Sequence, residues 1–155
     1  MLKRARRWVA DRRIATKIVS VSLVVTAIFT ASGVVGLLDL RLLGRLRHAS
    51  FAAVHSLIPW GILGFVINLI TGVLFFVGAP DQYLDNVAWW YKLAFLAIAG
   101  INVLYFETTQ AKRALEIGAG DDTPRAFKVI GAVSVVSWFM VLYWGRMLPF
   151  IGTAF

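Results

Sequence analysis

LIPWGILGFVINLITGVLFFVGA, residues 57–79, decides the fold, because it carries no charged side chain over a length that can cross a bilayer. A helix needs roughly 20 apolar residues to span about 30 Å of hydrocarbon. Residues 18–38, 87–106 and 129–145 have a similar length and composition. Backbone amides in lipid must be paired within the chain, so such stretches form bundled α-helices. The sequence therefore predicts an all-α integral membrane four-helix bundle.

The composition agrees with one membrane domain and little else. The chain has 155 residues, of which 59% are hydrophobic, and its mean hydropathy is +0.76. A soluble domain is closer to half apolar. We expect a basic N-terminal interfacial segment over residues 1–17, followed by a four-helix transmembrane domain over 18–155. The absence of cysteine excludes disulfides and thiolate metal sites.

The basic residues are concentrated before the first span. The chain has 16 Lys and Arg against 8 acidic residues. Basic residues flanking a membrane helix contact anionic headgroups or set topology, so membrane lipids are the expected partner and nucleic acid is not. The spacing of Leu2, Ala5 and Val9 is typical of an interfacial helix, and a disordered basic tail fits equally well. The side chains predicted to contact headgroups are Arg4, Arg6, Arg7, Arg12, Arg13 and Lys17.

A signal peptide is the alternative reading of residues 1–32, which have a basic start and an apolar middle. The apolar region continues to Leu38, which favours a retained span. With four spans, the side of both termini carries nine Lys and Arg, and the opposite side carries seven. The first helix usually dominates topology. We therefore expect a multi-pass protein of the bacterial cytoplasmic (inner) membrane with both termini in the cytoplasm.

Small and polar residues within the spans predict helix contacts. Membrane helices associate through small residues and a few interhelical hydrogen bonds. Gly61, Gly64, Asn68 and Gly72 follow one another at steps of three and four, which places them on one helix face. Asn68 and Trp138 lie near mid-depth, so each should find a polar partner within the bundle or in another subunit. The predicted helix-packing or partner-contact residues are Gly61, Gly64, Asn68, Gly72, Asn102, Ser134 and Trp138.

Few side chains in the sequence are suited to catalysis. His48 and His55 are the only histidines, and both precede the second span, so we expect no haem and no metal site. Asp39 is the one carboxylate inside a predicted span, at its edge, and we expect Arg41 or Arg45 to pair with it. Without a buried ionisable relay, a proton-coupled transporter is disfavoured. No catalytic or cofactor-binding residue is predicted, and the chain is not expected to be an enzyme.

Two signals mark the start of the second span. Ser50 is a suitable N-cap for a helix that begins near Phe51. Pro59 either kinks that helix or marks the point at which the membrane helix begins.

The run DLRLLG, residues 39–44, resembles a family of small bacterial four-helix membrane proteins of uncharacterised function, loosely similar to the membrane domain of copper-resistance D proteins. The resemblance covers roughly residues 20–150. It continues through Ile58-Pro59-Trp60, Thr71-Gly72, Tyr83-Leu84-Asp85-Asn86 and Gly145-Arg146-Met147. Members of that family often carry a histidine in the first span, where this chain has Val24. The resemblance therefore implies no haem or copper ligand at that position.

The leading functional prediction is a non-catalytic membrane accessory subunit that packs against and stabilises a larger respiratory or photosynthetic complex. It rests on four helices, small-residue faces and the lack of a self-contained active site. The first alternative is a small oligomeric transporter that uses the layer of Asn68 and Asn102 as a substrate path. A haem- or quinone-binding redox protein is the second alternative.

Overall fold

The computed structural model describes the backbone of residues 2–151 and the side chains of residues 16, 17 and 19–151. Within that range the chain is helical and contains no strand. The elements in chain order are α1 (Leu2–Leu42), α2 (Phe51–His55), α3 (Ile58–Gly78), α4 (Pro80–Leu84), α5 (Val87–Tyr105), a π-helical turn (Phe106–Gln110), α6 (Ala111–Leu115) and α7 (Arg125–Met147).

Four helical segments are long and apolar enough to cross a membrane, as predicted. They cover Val19–Leu42, Phe51–Gly78, Val87–Leu115 and Arg125–Met147. The all-α four-helix architecture of a multi-pass membrane protein is thus confirmed.

The N-terminal segment is not separated from the first span. The backbone of α1 is a continuous helix from Leu2 to Leu42, which at 1.5 Å per residue is about 60 Å long, roughly twice the hydrocarbon thickness. The predicted headgroup contacts of Arg4, Arg6, Arg7, Arg12 and Arg13 lie outside the described side chains. Lys17 is described and is exposed.

Short polar residues begin the helices that follow. The Ser50 hydroxyl accepts a hydrogen bond from the Ala53 amide at 3.3 Å, so the predicted cap is confirmed. Pro59 lies in the first turn of α3 and marks its start. Asn86 caps α5 by accepting from the Ala88 amide at 2.9 Å. The same Asn86 side chain donates to the carbonyls of Leu148 (2.9 Å) and Ile151 (2.7 Å), which ties the start of α5 to the end of α7.

The bundle consists of two helix pairs. α1 packs along α3, α5 packs along α7, and α1 and α7 join the pairs. A Cβ on Gly131 of α7 would lie 2.9 Å from Leu42 Cβ and 3.2 Å from the Asp39 carbonyl, so this glycine allows close approach. No comparable packing joins α3 to α5 in the described part of the chain. The side of the bundle between α3 and α5 is therefore open.

A polar cap closes one end of the bundle, and the buried Arg41 side chain holds it together. Its guanidinium donates to the carbonyl of Ala49 (2.8 Å), the carbonyl of Gly118 (2.8 Å) and the hydroxyl of Thr123 (3.0 Å). The Thr123 hydroxyl donates in turn to the Arg41 carbonyl at 3.1 Å. Arg41 thus joins the connector after α1 to the loop before α7.

Surface charges extend the cap but contribute less to it. Asp122 lies 3.1 Å from Arg47 Nη2 and 3.1 Å from Lys128 Nζ. The hydrogen bond from Lys128, helped by one from the Thr123 amide, lowers the pKa of Asp122. The Asp122 side chain is 59% exposed, so these ion pairs are screened by water.

Candidate ligand-binding cavity

The open side of the bundle contains a cavity of about 460 Å³ between α3 and α5. Small-molecule sites in proteins are mostly apolar clefts of about 300–1,000 Å³ with a few polar groups, so its size is suitable for a ligand. α1 and α7 form its back wall. Its lining is mostly aliphatic and aromatic, and the polar side chains in it are Asp39, Asn102, Glu107, Ser134 and Trp138.

Asp39 is the most unusual side chain in the lining. The residue is only 4% exposed and lines the cavity. Ser134 of α7 lies beside its carboxyl group. No described Lys, Arg or His lies within ion-pair distance of it, since the ion pairs of the described residues involve Asp122 and Glu107 only. A buried carboxyl group without a charged partner is rare and costly.

The predicted pairing of Asp39 with Arg41 or Arg45 is wrong. Residues two apart in a helix project to nearly opposite faces, so Asp39 faces the cavity while Arg41 faces the cap. Arg45 follows Gly44, whose φ of 76° turns the chain after α1, and Arg45 is exposed. A carboxyl group with no charged partner therefore remains inside the bundle. The bundle thus contains a buried ionisable group, which the sequence-based case against a proton-coupled transporter had assumed to be absent.

The cavity brings Asn102 and Ser134, both predicted helix-packing residues, together with Asp39. Asn102 Nδ2 donates to the Ile130 carbonyl at 3.2 Å, so Asn102 joins α5 to α7 as a helix-packing residue. Ser134 is buried at the contact of α7 with α1.

Trp138 lies deeper along the cavity wall. Its ring meets that of Phe65 edge-on, with ring centroids 5.8 Å apart. Its indole Nε1 is buried and has no hydrogen-bond partner in the described part of the chain. Trp138 therefore lacks a polar partner among the described residues, and the expected alternative, a partner in another subunit, stays a prediction.

Glu107 was not singled out from the sequence. It belongs to the π-helical turn at the end of α5, a feature that often occurs at functional sites and changes where side chains point. Its carboxylate Oε1 lies 3.3 Å from His55 Nε2, although that nitrogen makes no well-aligned hydrogen bond. A π-helical turn has no reliable sequence signature, so this placement could not be foreseen.

The four residues of the predicted α3 face do not share one environment in the structure. A Cβ on Gly61 would lie 2.9 Å from Val34 Cγ1, and a Cβ on Gly64 would lie 2.7 Å from the Ala27 carbonyl oxygen, so both are helix contacts. Gly72 has no atom within 4 Å of the corresponding point. Asn68 is exposed, and its side chain makes no hydrogen bond to the described part of the chain. Asn68 and Gly72 therefore make no helix contact in the described part of the chain, and their contact with a partner stays a prediction.

The same arrangement separates Asn68 from Asn102. Asn102 lines the cavity, and Asn68 does not. The two amides therefore do not form one polar path through this chain.

The cavity has the size and the mostly apolar lining of a small-molecule cleft. Its side chains offer apolar contact over most of its length and hydrogen bonds at one end. Among the described residues, no three His, Asp or Glu side chains are grouped as metal ligands would be. His48 is exposed, and His55 has Glu107 as its neighbour.

No family model matches this chain, and no curated protein or solved structure is significantly similar to it, so the resemblance carried by residues 39–44 stays a prediction.

Proposed function

We propose that this multi-pass membrane protein is a non-catalytic binding protein that takes an elongated apolar ligand from the bilayer into the cavity between α3 and α5. The observation that carries the proposal is the cavity of about 460 Å³, whose lining is apolar along most of its length. Apolar contact within a cleft and a few polar groups that orient the ligand are the usual features of such a site.

The route into the cavity is from the side. α3 and α5 have no close packing between them, and the side chains of Ile62 and Val103, which line the cavity on the two helices, are exposed. In a membrane the gap between α3 and α5 faces acyl chains, so a lipid-like molecule enters without crossing water. The sequence supports the bacterial cytoplasmic membrane as the site, with both termini in the cytoplasm, through the basic residues before the first span.

Gly100→Leu tests this proposal because it fills the cavity without disturbing the bundle. Gly100 lines the cavity, and a Cβ there meets no atom within 4 Å. The leucine side chain displaces about four ligand carbons, at about 0.8 kcal/mol each, which corresponds to a roughly hundredfold loss of affinity. Native mass spectrometry of protein purified in mild detergent should show lipid-like adducts on the wild type and few on the variant.

Gly72→Leu is the matched control. Gly72 also has no atom within 4 Å of its Cβ position, but it does not line the cavity, so its variant should keep the adducts. Equal retention of adducts by wild type and Gly100→Leu would contradict the proposal.

An accessory subunit of a larger respiratory or photosynthetic complex is the second candidate, and Asn68 favours it. This amide lies in the middle of α3, exposed and with no hydrogen bond from its side chain to the described part of the chain. An unpaired amide in hydrocarbon is costly, and a hydrogen bond to a neighbouring membrane helix removes that cost. Gly72, one turn further along α3, leaves room for such a helix.

Asn68→Leu separates this candidate from the first. We expect the variant to lose co-purifying membrane subunits while the isolated chain keeps or gains stability, because the wild-type amide has no partner among the described residues. Gentle solubilisation followed by identification of co-purifying proteins is the measurement, with Leu69→Ala, another exposed position on α3, as control. The same protein neighbours on wild type and Asn68→Leu would rule out a docking role for Asn68.

A further inference from the structure

We infer that the polar end of the cavity selects a lipid-like ligand whose head group donates hydrogen bonds and carries no negative charge, as a hydroxyl or an ammonium group does. This inference rests on the proposed binding function and adds the chemistry of the head group.

The Asp39 carboxyl group favours a ligand that donates hydrogen bonds. An ionised carboxylate offers about four acceptor positions, and among the described side chains the Ser134 hydroxyl is the polar group that lies beside that of Asp39. The residue is 4% exposed and lines the cavity, so water can satisfy little of the remaining capacity. Leaving a buried polar group unsatisfied is costly, and a donor on a bound ligand removes that cost.

Glu107 disfavours a ligand with a negatively charged head group. It is the other carboxylate of the lining, and no Lys or Arg lines the cavity beside these two. Arg41 is the basic residue closest to Asp39 in sequence. Its guanidinium donates hydrogen bonds within the cap, to Ala49, Gly118 and Thr123. His55 Nε2 lies 3.3 Å from Glu107 Oε1 but is not part of the lining. A negatively charged head would therefore meet two carboxylates with no lining Lys or Arg to offset them.

The position of these groups fits an amphiphile. Asp39 lies one turn before the end of α1, and Glu107 lies just past the end of α5, so both are near the membrane surface under the cap. Phe65 and Trp138 line the cavity further along α3 and α7, toward mid-depth. A lipid-like molecule thus places its head against the carboxylates and its chain against the aromatic rings.

Four probes with the same two oleoyl chains test the inference on delipidated, full-length protein. Their head groups are a free hydroxyl (dioleoylglycerol), a primary ammonium, an acetyl ester of the hydroxyl, and a phosphate monoester (phosphatidic acid). Native mass spectrometry titration gives the relative affinities. The hydroxyl and ammonium probes should bind about tenfold more tightly than the ester, which lacks the donor, and the phosphate probe should bind most weakly. Whichever of the two donor probes binds more tightly identifies an alcohol or an amine as the head group.

Asp39→Asn should reduce the preference for the donor probes over the ester severalfold and raise the affinity for the phosphate probe. The ester should bind at least as tightly as it does to the wild type, because the asparagine amide can donate to its carbonyl, whereas a damaged fold would weaken binding of all four probes. Glu107→Gln alters an exposed residue and should shift the same ratios in the same direction, so it provides the test if Asp39→Asn does not fold. Glu116→Gln, an exposed carboxylate that does not line the cavity, should shift none of them.

Gly100→Leu should weaken all four probes together, which distinguishes occupation of the cavity from selection of a head group. Equal binding of the four probes to wild type, with loss in Gly100→Leu, would overturn the head-group inference and leave the proposed function standing. Unchanged ratios in both Asp39→Asn and Glu107→Gln would overturn it as well. Binding of none of the probes to wild type would overturn the proposed function and this inference together.

Discussion

Arg41→Met is expected to lower the free energy of unfolding by about 3–5 kcal/mol and the melting temperature in detergent by about 10 °C. Arg41 is fully buried, and its guanidinium donates to the carbonyls of Ala49 and Gly118 and the hydroxyl of Thr123, with a longer contact of 3.5 Å to the Asp121 carbonyl. Methionine fills a similar volume but leaves these acceptors without donors. The guanidinium is the buried side-chain link between the two segments, beside the backbone hydrogen bonds from Gly120 to Arg47 and from Phe51 to Ile117. Its loss should therefore loosen the cap, and circular dichroism during heating measures the effect.

Arg45→Met is the matched control, since Arg45 is a nearby arginine that is exposed. It should change the melting temperature by no more than a degree or two, as surface substitutions usually do. Arg41→Lys should also destabilise the protein, because an ammonium group cannot hold acceptors that are spread around a planar guanidinium. Equal melting temperatures for Arg41→Met and Arg45→Met would show that the buried guanidinium does not hold the cap.

The membrane fold was predictable because it depends on quantities that the sequence states directly. Apolar length fixes the number of spans, and the structure has the four that were predicted. Local signals were equally reliable, as the Ser50 cap and the position of Pro59 in the first turn of α3 illustrate. Both depend on neighbours within a few residues.

Tertiary contacts were less predictable. Asn86 precedes a helix, which makes it a reasonable cap, but its bonds to the end of α7 depend on how α5 and α7 pack. Asn68 lies in the middle of α3, but on a face that packs against no described helix. Packed helices cross at an angle and stay in contact over a few turns only, so the glycine pattern could not tell where the contact on α3 would end.

The cavity follows from helix periodicity together with topology. Helix geometry alone separates Asp39 from Arg41, because residues two apart do not face each other. What the sequence did not contain was the open side between α3 and α5, which arises because each of these helices packs mainly on one partner. The sequence could thus indicate that Asp39 and Arg41 lie on different faces of α1, but not that the Asp39 face borders an open gap between α3 and α5.

Gly64→Ala is expected to lower the free energy of unfolding by about 2–3 kcal/mol, and Gly64→Leu by more. The added Cβ would lie 2.7 Å from the Ala27 carbonyl oxygen and 3.1 Å from the Ala31 amide nitrogen. Both are backbone atoms of α1, so no side chain can rotate away, and α1 and α3 must separate. That separation exposes Ala27, which is only 5% exposed in the folded bundle. Thermal unfolding in detergent measures the loss.

Gly72→Ala is the control for the helix itself. Alanine favours a helix interior over glycine by about 1 kcal/mol, and Gly72 has open space around its Cβ position, so this variant should be neutral or slightly stabilised.

Gly61→Ala should fall between the two, because its Cβ would meet the side chain of Val34 at 2.9 Å, and a side chain can shift more readily than backbone. Leu63→Ala should cost less than Gly64→Leu, since Leu63 is 50% exposed. If Gly64→Ala were as stable as Gly72→Ala, the close approach of α1 and α3 would not be what holds this pair together, and the open side of the bundle would have to be explained without it.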